Sequence, residues 1–262
     1  MRLYLLPPSF RPQEPLVLTG KDYNYIVRVL RLKEGQEITG RDSQGNTWVL
    51  RIVNVSAASC TLLSSGRTEA RATTDALPSS GPEKTIVLYQ CIPKGRKTDD
   101  IIRMATEAGV SRIVLVHSRN CVSDFTGSEQ GKFSRFESVV REAVQQSGSL
   151  VPTVVEGVID IKDVPEHFGK LCDTTGMKGK GLFFHQCPVG EKQQDLVGLL
   201  SGFDGAAGIL IGSEGGLTDA ETQNLIEGKF APVLLKTNIL RCETAAIYAI
   251  AAVQTLLETS CQ

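Results

Sequence analysis

The sequence lacks any hydrophobic run close to the roughly 18 residues that a membrane-spanning helix needs. Its first residues, Met1 to Pro8, are interrupted by proline too early to resemble a secretory signal peptide. We therefore expect a cytoplasmic protein with no membrane segment.

The sequence also has no C-x-x-C pair, and its three histidines are isolated from one another. The seven cysteines are an odd number and are scattered along the chain, which argues against a disulfide framework and against a zinc site. We expect most of the cysteines to be buried as small hydrophobic residues, and we expect no metal site.

Two common nucleotide-binding patterns are absent. The chain contains no G-x-x-x-x-G-K-[ST] loop, and its glycines do not follow the order of G-x-G-x-x-G. A P-loop NTPase and a nicotinamide-dependent enzyme therefore lose their main support.

A strong net charge is missing as well, because the formal charge at pH 7 is only −1. This average conceals an asymmetry: residues 1–75 hold ten basic side chains against seven acidic ones, whereas residues 76–262 hold 18 against 22. Any contact with RNA must therefore rest on local basic patches rather than on the charge of the whole protein.

The N-terminal part has the pattern of a small β-rich domain. Short β-prone runs at 38–39, 47–55 and 60–63 are separated by turn residues, and this even spacing predicts a small barrel. Before them, residues 21–32 are predicted to be helical, with Tyr25, Val29 and Leu32 on one face. Residues 64–82, which are rich in serine, glycine and proline, are the predicted linker, with a domain boundary between 75 and 83.

From residue 85 onwards, predicted strands and helices alternate. Strands are predicted at 86–89, 112–116, 151–155 and 182–185, and helices at 99–108 and 132–146. Such alternation is typical of a parallel sheet.

Two strand-loop-helix units follow each other between Ile209 and Leu257. The first places glycines at 212, 215 and 216 before a helix whose start, Thr218 with Glu221 three residues later, predicts a capping box. Glycines allow backbone to approach a ligand closely, although an ordinary glycine-rich turn explains this loop equally well. The last helix is apolar nearly all round, which predicts either a deeply buried helix or contact with a partner.

The paired motifs I-G-S-E-G-G-L-T-D-A-E and L-x-x-x-I-L-R-C-E-T-A-A resemble the cofactor-binding signature of SPOUT methyltransferases. They are most similar to the RsmE family, which forms N3-methyluridine in small-subunit (16S) ribosomal RNA. The resemblance implies a PUA-like RNA-binding β-barrel domain at 1–75 and an α/β SPOUT domain at 83–262, a parallel sheet with a deep trefoil knot. It further implies a homodimer formed partly by the last helix.

By the same resemblance, the cofactor is S-adenosylmethionine, bound among three loops. The implied cofactor-binding residues are Phe184, His185, Ile211, Gly212, Glu214, Gly215, Gly216, Leu235, Ile239, Leu240, Thr244 and Ala245. Arg241 is the first candidate to stabilise a deprotonated uridine. Glu243, the second catalytic candidate, has three open roles: to hold Arg241, to contact a ribose, or to favour the start of its helix.

Four basic residues are candidates for RNA contact. Arg28 and Arg31 lie in R-V-L-R, which matches the start of the PUA-like domain, and Lys94 and Lys97 lie in a basic loop beside a predicted helix start. Helix N-termini favour anions, so phosphate suits this loop, whereas a solvated charged turn is the equally supported alternative.

The chain departs from the family pattern mainly where RNA is expected to bind. The departures lie at Met104, Asn120, Gln145, Ser149 and Asn238. We therefore keep two alternatives to uridine-N3 methylation: a SPOUT methyltransferase acting on another RNA site, and a non-catalytic RNA-binding protein that retains the fold.

Overall fold

A computed structural model of the chain describes residues 3–68, 85–121, 129–149, 151–185, 194–235 and 237–259. The chain divides into two compact units. The first comprises Met1–Ser79 with Val144–Leu150, and the second comprises Ser80–Ala143 with Val151–Gln262.

The first unit is built on a five-stranded sheet with the order β1-β3-β4-β5-β2. Its elements are β1 Leu3–Leu5, β2 Leu16–Thr19, α1 Gly20–Tyr23, a π-helix Asn24–Val29, β3 Glu37–Arg41, β4 Thr47–Val55 and β5 Ser59–Thr68. β1 pairs with β3 in parallel, and the other pairs are antiparallel. Buried side chains such as Tyr4, Ile26, Leu50 and Ile52 form its core.

The predicted helix at 21–32 is only partly correct. From Asn24 the chain continues as a π-helix, in which the amide of Leu30 donates to the carbonyl of Tyr25 five residues earlier. This wider turn rotates the buried face, so that Tyr23 and Ile26 are buried and Val29 is 68% exposed. The prediction is therefore wrong for Val29, whereas Tyr25 and Leu32 pack against the core as predicted.

Two further differences concern the strands of this unit. β1 and β2 were not predicted, because runs of three or four residues are too short to show alternation. Residues 64–68, which we assigned to the linker, continue β5. The remainder of the predicted linker, 69–82, lies outside the described residues.

The second unit contains a six-stranded parallel sheet with the order β11-β9-β10-β6-β7-β8. Its strands are β6 Thr85–Cys91, β7 Arg112–His117, β8 Val154–Asp160, β9 Gly179–Phe184, β10 Ala206–Ile211 and β11 Phe230–Val233. Its helices are α2 Lys97–Glu107, α3 Glu129–Ser147, α4 Val164–Thr175 after a 3-10 turn Ile161–Asp163, α5 Leu196–Leu200, α6 Asp219–Glu227 and α7 Cys242–Thr259. The last residues of α3, from Val144 onwards, belong to the first unit.

Alternate side chains of the central strands face two separate cores. On β6, Leu88 joins the core covered by α2, α3, α5 and α7, whereas Tyr89 joins the core covered by α4 and α6. Burial on both faces explains why β10, with the sequence AAGILI, is apolar throughout. The α/β parallel sheet that we predicted is confirmed, whereas the trefoil knot stays a prediction.

The predicted strand at 151–155 begins late. Pro152 has no amide hydrogen to give to a ladder, and β8 starts two residues after it, where the amide of Val154 donates to the carbonyl of Ser111. Two helices, α4 and α5, were not predicted.

The last helix, α7, has a buried face and an exposed one. Ala246, Ala249, Ile250 and Val253 are fully buried against the sheet and α2, whereas Tyr248 on the other side is 49% exposed. Within the described part of the chain, no helix is long and apolar enough to cross a membrane. No cluster of potential metal ligands was found among the same residues.

Candidate active site

Three neighbouring strands end side by side at the carboxyl edge of the parallel sheet. β9, β10 and β11 are neighbours, and they end at Phe184, Ile211 and Val233. The amide of His185 donates to the carbonyl of Val233 at 3.1 Å, which ties the first loop to the third. The predicted cofactor loops therefore start side by side, at the edge where ligands of open α/β sheets bind.

The glycine-rich loop follows β10. Gly216 has a φ of 66°, a left-handed conformation that favours glycine, and its amide donates to the carbonyl of Ser213 at 2.9 Å. A Cβ on Gly215 would lie 2.7 Å from the Cβ of Asn120, so a side chain there would displace its neighbour. A Cβ on Gly212 would be in ordinary van der Waals contact, at 3.6 Å, with Gly216 and Leu217 of the same loop.

Asn120 fixes the conformation of this loop from the end of a different strand. Its Nδ2 donates to the carbonyls of Gly215 at 2.9 Å and Gly216 at 3.2 Å, while Ser213 Oγ donates to the carbonyl of Asn120 at 3.2 Å. Sequence reasoning recorded Asn120 only as a departure from the family pattern. Its position after β7, at the same sheet edge, was the signal that could have revealed the role.

The capping box at the start of α6 is confirmed. Thr218 Oγ1 accepts from the amide of Glu221 at 3.3 Å, and the Glu221 carboxylate accepts from the amide of Thr218 at 2.8 Å. Glu221 also accepts from the amide of Arg119 at 2.8 Å, so a single carboxylate caps α6 and holds the loop after β7.

The loop between β11 and α7 presents apolar side chains. Ile239 is 81% exposed, and Leu235 and Leu240 are half-buried. The amide of Thr237 donates to the carbonyl of Leu235 at 2.8 Å, which makes a tight turn before them.

Three charged side chains from separate segments meet beside these loops. Lys97 Nζ, at the start of α2, lies 2.8 Å from Glu214 Oε1 in the glycine-rich loop and 3.4 Å from Glu243 Oε2 at the start of α7. The amide of Lys94 also donates to both carboxylate oxygens of Glu214, at 3.3 and 3.2 Å.

This cluster bears on the roles that we predicted for Lys97 and Glu243. Lys97, a predicted RNA ligand, already has two carboxylate partners. Glu243 binds Lys97 and accepts from Cys242 Sγ at 3.2 Å, and among the described contacts it has none with Arg241. In this structure Glu243 pairs with Lys97, and its roles toward Arg241 or a ribose stay predictions.

Burial, together with the hydrogen bond to Glu243, raises the pKa of Cys242 to about 12. The thiol therefore stays protonated at neutral pH and donates to the carboxylate. Burial acts to raise the pKa of Glu243 as well, but the backbone hydrogen bond and the partners Cys242 and Lys97 outweigh it, so that the pKa of Glu243 is lowered. Glu243 is thus an anion in this site.

The other predicted site residues occupy varied positions. Phe184 and Ile211 are buried at the ends of their strands, His185 and Ala245 are half-buried, and Thr244 and Arg241 are exposed. The predicted RNA ligands Arg28, Arg31 and Lys94 are all exposed. Arg31 has a φ of 54°, because the chain turns sharply out of the π-helix at this residue.

Comparison with known proteins agrees with this arrangement. Residues 80–254, more than half of the chain, match the RNA methyltransferase domain, and residues 18–63 match the RNA methyltransferase PUA domain. The chain also shares 30% identity over 182 residues with ribosomal RNA small subunit methyltransferase E of Rickettsia conorii, covering 69% of this chain and 68% of that protein. The chain belongs to the RsmE family of RNA methyltransferases.

Other members of this family are similar over nearly their full length. Ribosomal RNA small subunit methyltransferase E of Bacillus subtilis is 26% identical over 248 residues, which cover 90% of this chain and 88% of that protein. The crystal structure of ribosomal RNA small subunit methyltransferase E from Neisseria gonorrhoeae bound to S-adenosyl methionine has 25% identity and a TM-score of 0.76. That likeness covers 98% of both chains.

Proposed function

We propose that the chain transfers a methyl group from S-adenosylmethionine to N3 of a uridine in small-subunit ribosomal RNA. One observation carries this proposal: the glycine-rich loop and the start of α7 meet. Glu214 of the loop and Glu243 of the helix lie around a single lysine ammonium. The two signature motifs of the family thereby form one site at the carboxyl edge of the sheet.

The residues present fit S-adenosylmethionine. The backbone of the glycine-rich loop, which has no side chains at Gly212, Gly215 and Gly216, and the exposed apolar side chain of Ile239 suit a flat heterocycle. The residues that would hold the cofactor are Phe184, His185, Ile211, Gly212, Glu214, Gly215, Gly216, Leu235, Ile239, Leu240, Thr244 and Ala245. When bound, the cofactor supplies a methyl group on sulfur that is already activated for transfer.

The protein therefore has mainly to align the acceptor and to stabilise its anion. Alignment of two reactants accounts for roughly 7–11 kcal/mol in well-oriented systems. Uridine N3 attacks as an anion after losing its proton, and the guanidinium of Arg241 is the group we assign to stabilise that charge. Glu243, held by Lys97 and Cys242, acts on the site through the position of the start of α7.

RNA would be held by basic side chains that face solvent. Arg28 and Arg31 in the first unit and Lys94 in the second are exposed, and the first unit includes the matched PUA domain. Contacts of this kind go to phosphates and give affinity with little sequence information.

We also propose a cytoplasmic homodimer in which the exposed face of α7 meets a second copy. This face carries Tyr248, which is 49% exposed, next to small residues such as Ala251 that allow close approach. The rest of this face carries Thr244, Thr255 and Glu258, so the contact would combine apolar and polar groups.

Methylation of another RNA site is the second candidate. It is favoured by Asn120, which stands where the family pattern has an arginine and whose side chain donates to the glycine-rich loop. A non-catalytic RNA-binding protein is the third.

The test is transfer of labelled methyl from S-adenosylmethionine to small ribosomal subunits that lack the modification, with the labelled nucleotide mapped. Label on a single uridine N3 is expected. Label on another nucleotide would support the second candidate, and no label from a protein that binds the cofactor would support the third. Arg241→Ala is expected to lose transfer while its folding and its RNA affinity are largely kept.

A further inference from the structure

Lys97 is enclosed by anionic groups rather than directed at solvent. Its ammonium lies 2.8 Å from Glu214 and 3.4 Å from Glu243, and only 33% of its side chain is exposed. The two carboxylate side chains are 26% and 21% exposed, so each is partly shielded from solvent. A lysine that bound phosphate would have to leave both carboxylates without their counter-charge.

The position of Lys97 in its helix supports the same conclusion. It is the first residue of α2, where the helix dipole is positive and a cation is disfavoured. Two carboxylates around the ammonium offset this unfavourable position. The hydrogen bond that Lys97 donates to Glu214 raises the pKa of Lys97. Burial acts to raise the pKa of Glu214, but hydrogen bonds from Lys97 and the backbone outweigh it and lower that pKa.

The two carboxylates belong to the segments that would form the cofactor pocket. Glu214 lies between Gly212 and Gly215, and Glu243 lies two residues after Arg241. A single ammonium that holds both carboxylates therefore sets the distance between the glycine-rich loop and the start of α7. Neither segment can move alone without breaking an ion pair.

We propose that Lys97 is a positioning residue of the cofactor pocket, which joins the glycine-rich loop to the start of α7 through Glu214 and Glu243, and that it is not a ligand of RNA phosphate. This inference rests on the proposed function, because it assumes that the pocket takes S-adenosylmethionine.

Calorimetric titration with S-adenosylmethionine tests the claim that Lys97 positions the cofactor pocket. Lys97→Met is expected to weaken binding about tenfold, since two partly buried carboxylates lose their shared partner. Lys97→Arg, which keeps the charge, is expected to restore binding to within about threefold. Lys170→Met is the matched control, because Lys170 forms an ion pair with Glu166 on α4 and both side chains are exposed.

The double variant Lys97→Met with Glu214→Gln separates positioning from a general loss of stability. If the two residues act as one unit, the double variant binds S-adenosylmethionine about as weakly as the weaker single variant. Melting temperatures are measured for every variant. If Lys97→Met has a lowered melting temperature, the affinities of Lys97→Arg and Glu214→Gln for S-adenosylmethionine are compared instead. Both of these variants retain a hydrogen-bonding group at the cluster.

The salt dependence of RNA binding tests the claim that Lys97 is not a ligand of RNA phosphate. A plot of log affinity against log salt loses about 0.7 to 0.9 in slope for each phosphate contact removed. We expect the slope of Lys97→Met to equal that of the wild type, whereas the slope of Lys94→Met should be smaller by the amount expected for about one phosphate contact.

Normal affinity of Lys97→Met for S-adenosylmethionine together with a reduced RNA slope would overturn the inference and make Lys97 an RNA ligand. Additive effects in the double variant would overturn it as well. A wild-type protein that does not bind S-adenosylmethionine would refute the proposed function itself, and the inference with it.

Discussion

The hydroxyl of Tyr89 lies 2.9 Å from His167 Nδ1, in the core that α4 covers. The other ring nitrogen, Nε2, lies 3.0 Å from Glu156, which also forms an ion pair with Arg112. In neutral imidazole, Tyr89 donates to Nδ1 and Nε2–H donates to Glu156, so both nitrogens are satisfied. The network joins β6, β7, β8 and α4 at a position separate from the candidate active site.

Stability should depend on pH through His167. Burial, together with the positive charges of Arg112 and Lys170, lowers its pKa in the folded protein. Unfolded chains take up this proton near pH 6.5, so the contribution to stability is complete above that pH and is lost as the pH falls through about 6.5 towards the lowered folded value. Urea unfolding between pH 5 and 8 should show a shallower dependence for His167→Gln than for the wild type.

His117→Gln is the control for that experiment, because His117 is exposed at the end of β7. It should reproduce the pH dependence of the wild type. Equal slopes for the wild type and His167→Gln would contradict the assignment to His167.

Removal of the Asn120 side chain should loosen the glycine-rich loop. Asn120→Ala loses the two hydrogen bonds to the carbonyls of Gly215 and Gly216. We expect the affinity for S-adenosylmethionine to fall about fivefold, equivalent to about 1 kcal/mol, as measured by calorimetry. Asn46→Ala in the first unit removes a partly buried asparagine far along the chain and should leave that affinity unchanged. A normal affinity of Asn120→Ala would show that the loop keeps its conformation without these bonds.

Alanine at two glycines of the same loop should affect different properties, protein stability in one case and cofactor binding in the other. Gly215→Ala places a Cβ 2.7 Å from the Cβ of Asn120, so it should lower the melting temperature. Gly212→Ala meets only ordinary contacts at 3.6 Å in the free protein, so it should fold normally but bind S-adenosylmethionine more weakly. Normal cofactor binding by Gly212→Ala would place the ligand elsewhere.

Loss of the cap on α6 should destabilise the second unit. Thr218→Ala removes the side-chain acceptor of the Glu221 amide, which costs about 1 kcal/mol in similar helices. Chemical denaturation measures this loss, and Thr218→Ser, which keeps the hydroxyl, should recover most of it. An unchanged free energy of unfolding for Thr218→Ala would mean that water replaces the cap.

Much of the second unit could be predicted because its signals are local. The capping residues Thr218 and Glu221 are three positions apart, and the apolar run of β10 is continuous, so sequence alone located both. Helix α4 was missed although its signals are present: Pro165 lies in its first turn, and Gly176 follows it with a φ of 67°.

The partners within the site could not be predicted, because they come from distant parts of the chain. Sequence placed Lys97 in a basic loop, but only the strand order brings it to Glu214 and Glu243. The π-helix at Asn24–Val29 was unpredictable for a different reason, since its hydrogen-bond spacing departs from the ordinary helical period.

The wide sequence separation within the site has a consequence for the order in which the protein folds during synthesis. Lys97 and Glu214 are 117 positions apart, and the glycine-rich loop is tied to Asn120 across 95 positions. Contacts of such range form late, after the local helices and strands. A growing chain that has not yet released α7 would have no closed pocket, so the methyl donor could bind only after α7 has been synthesised and has folded.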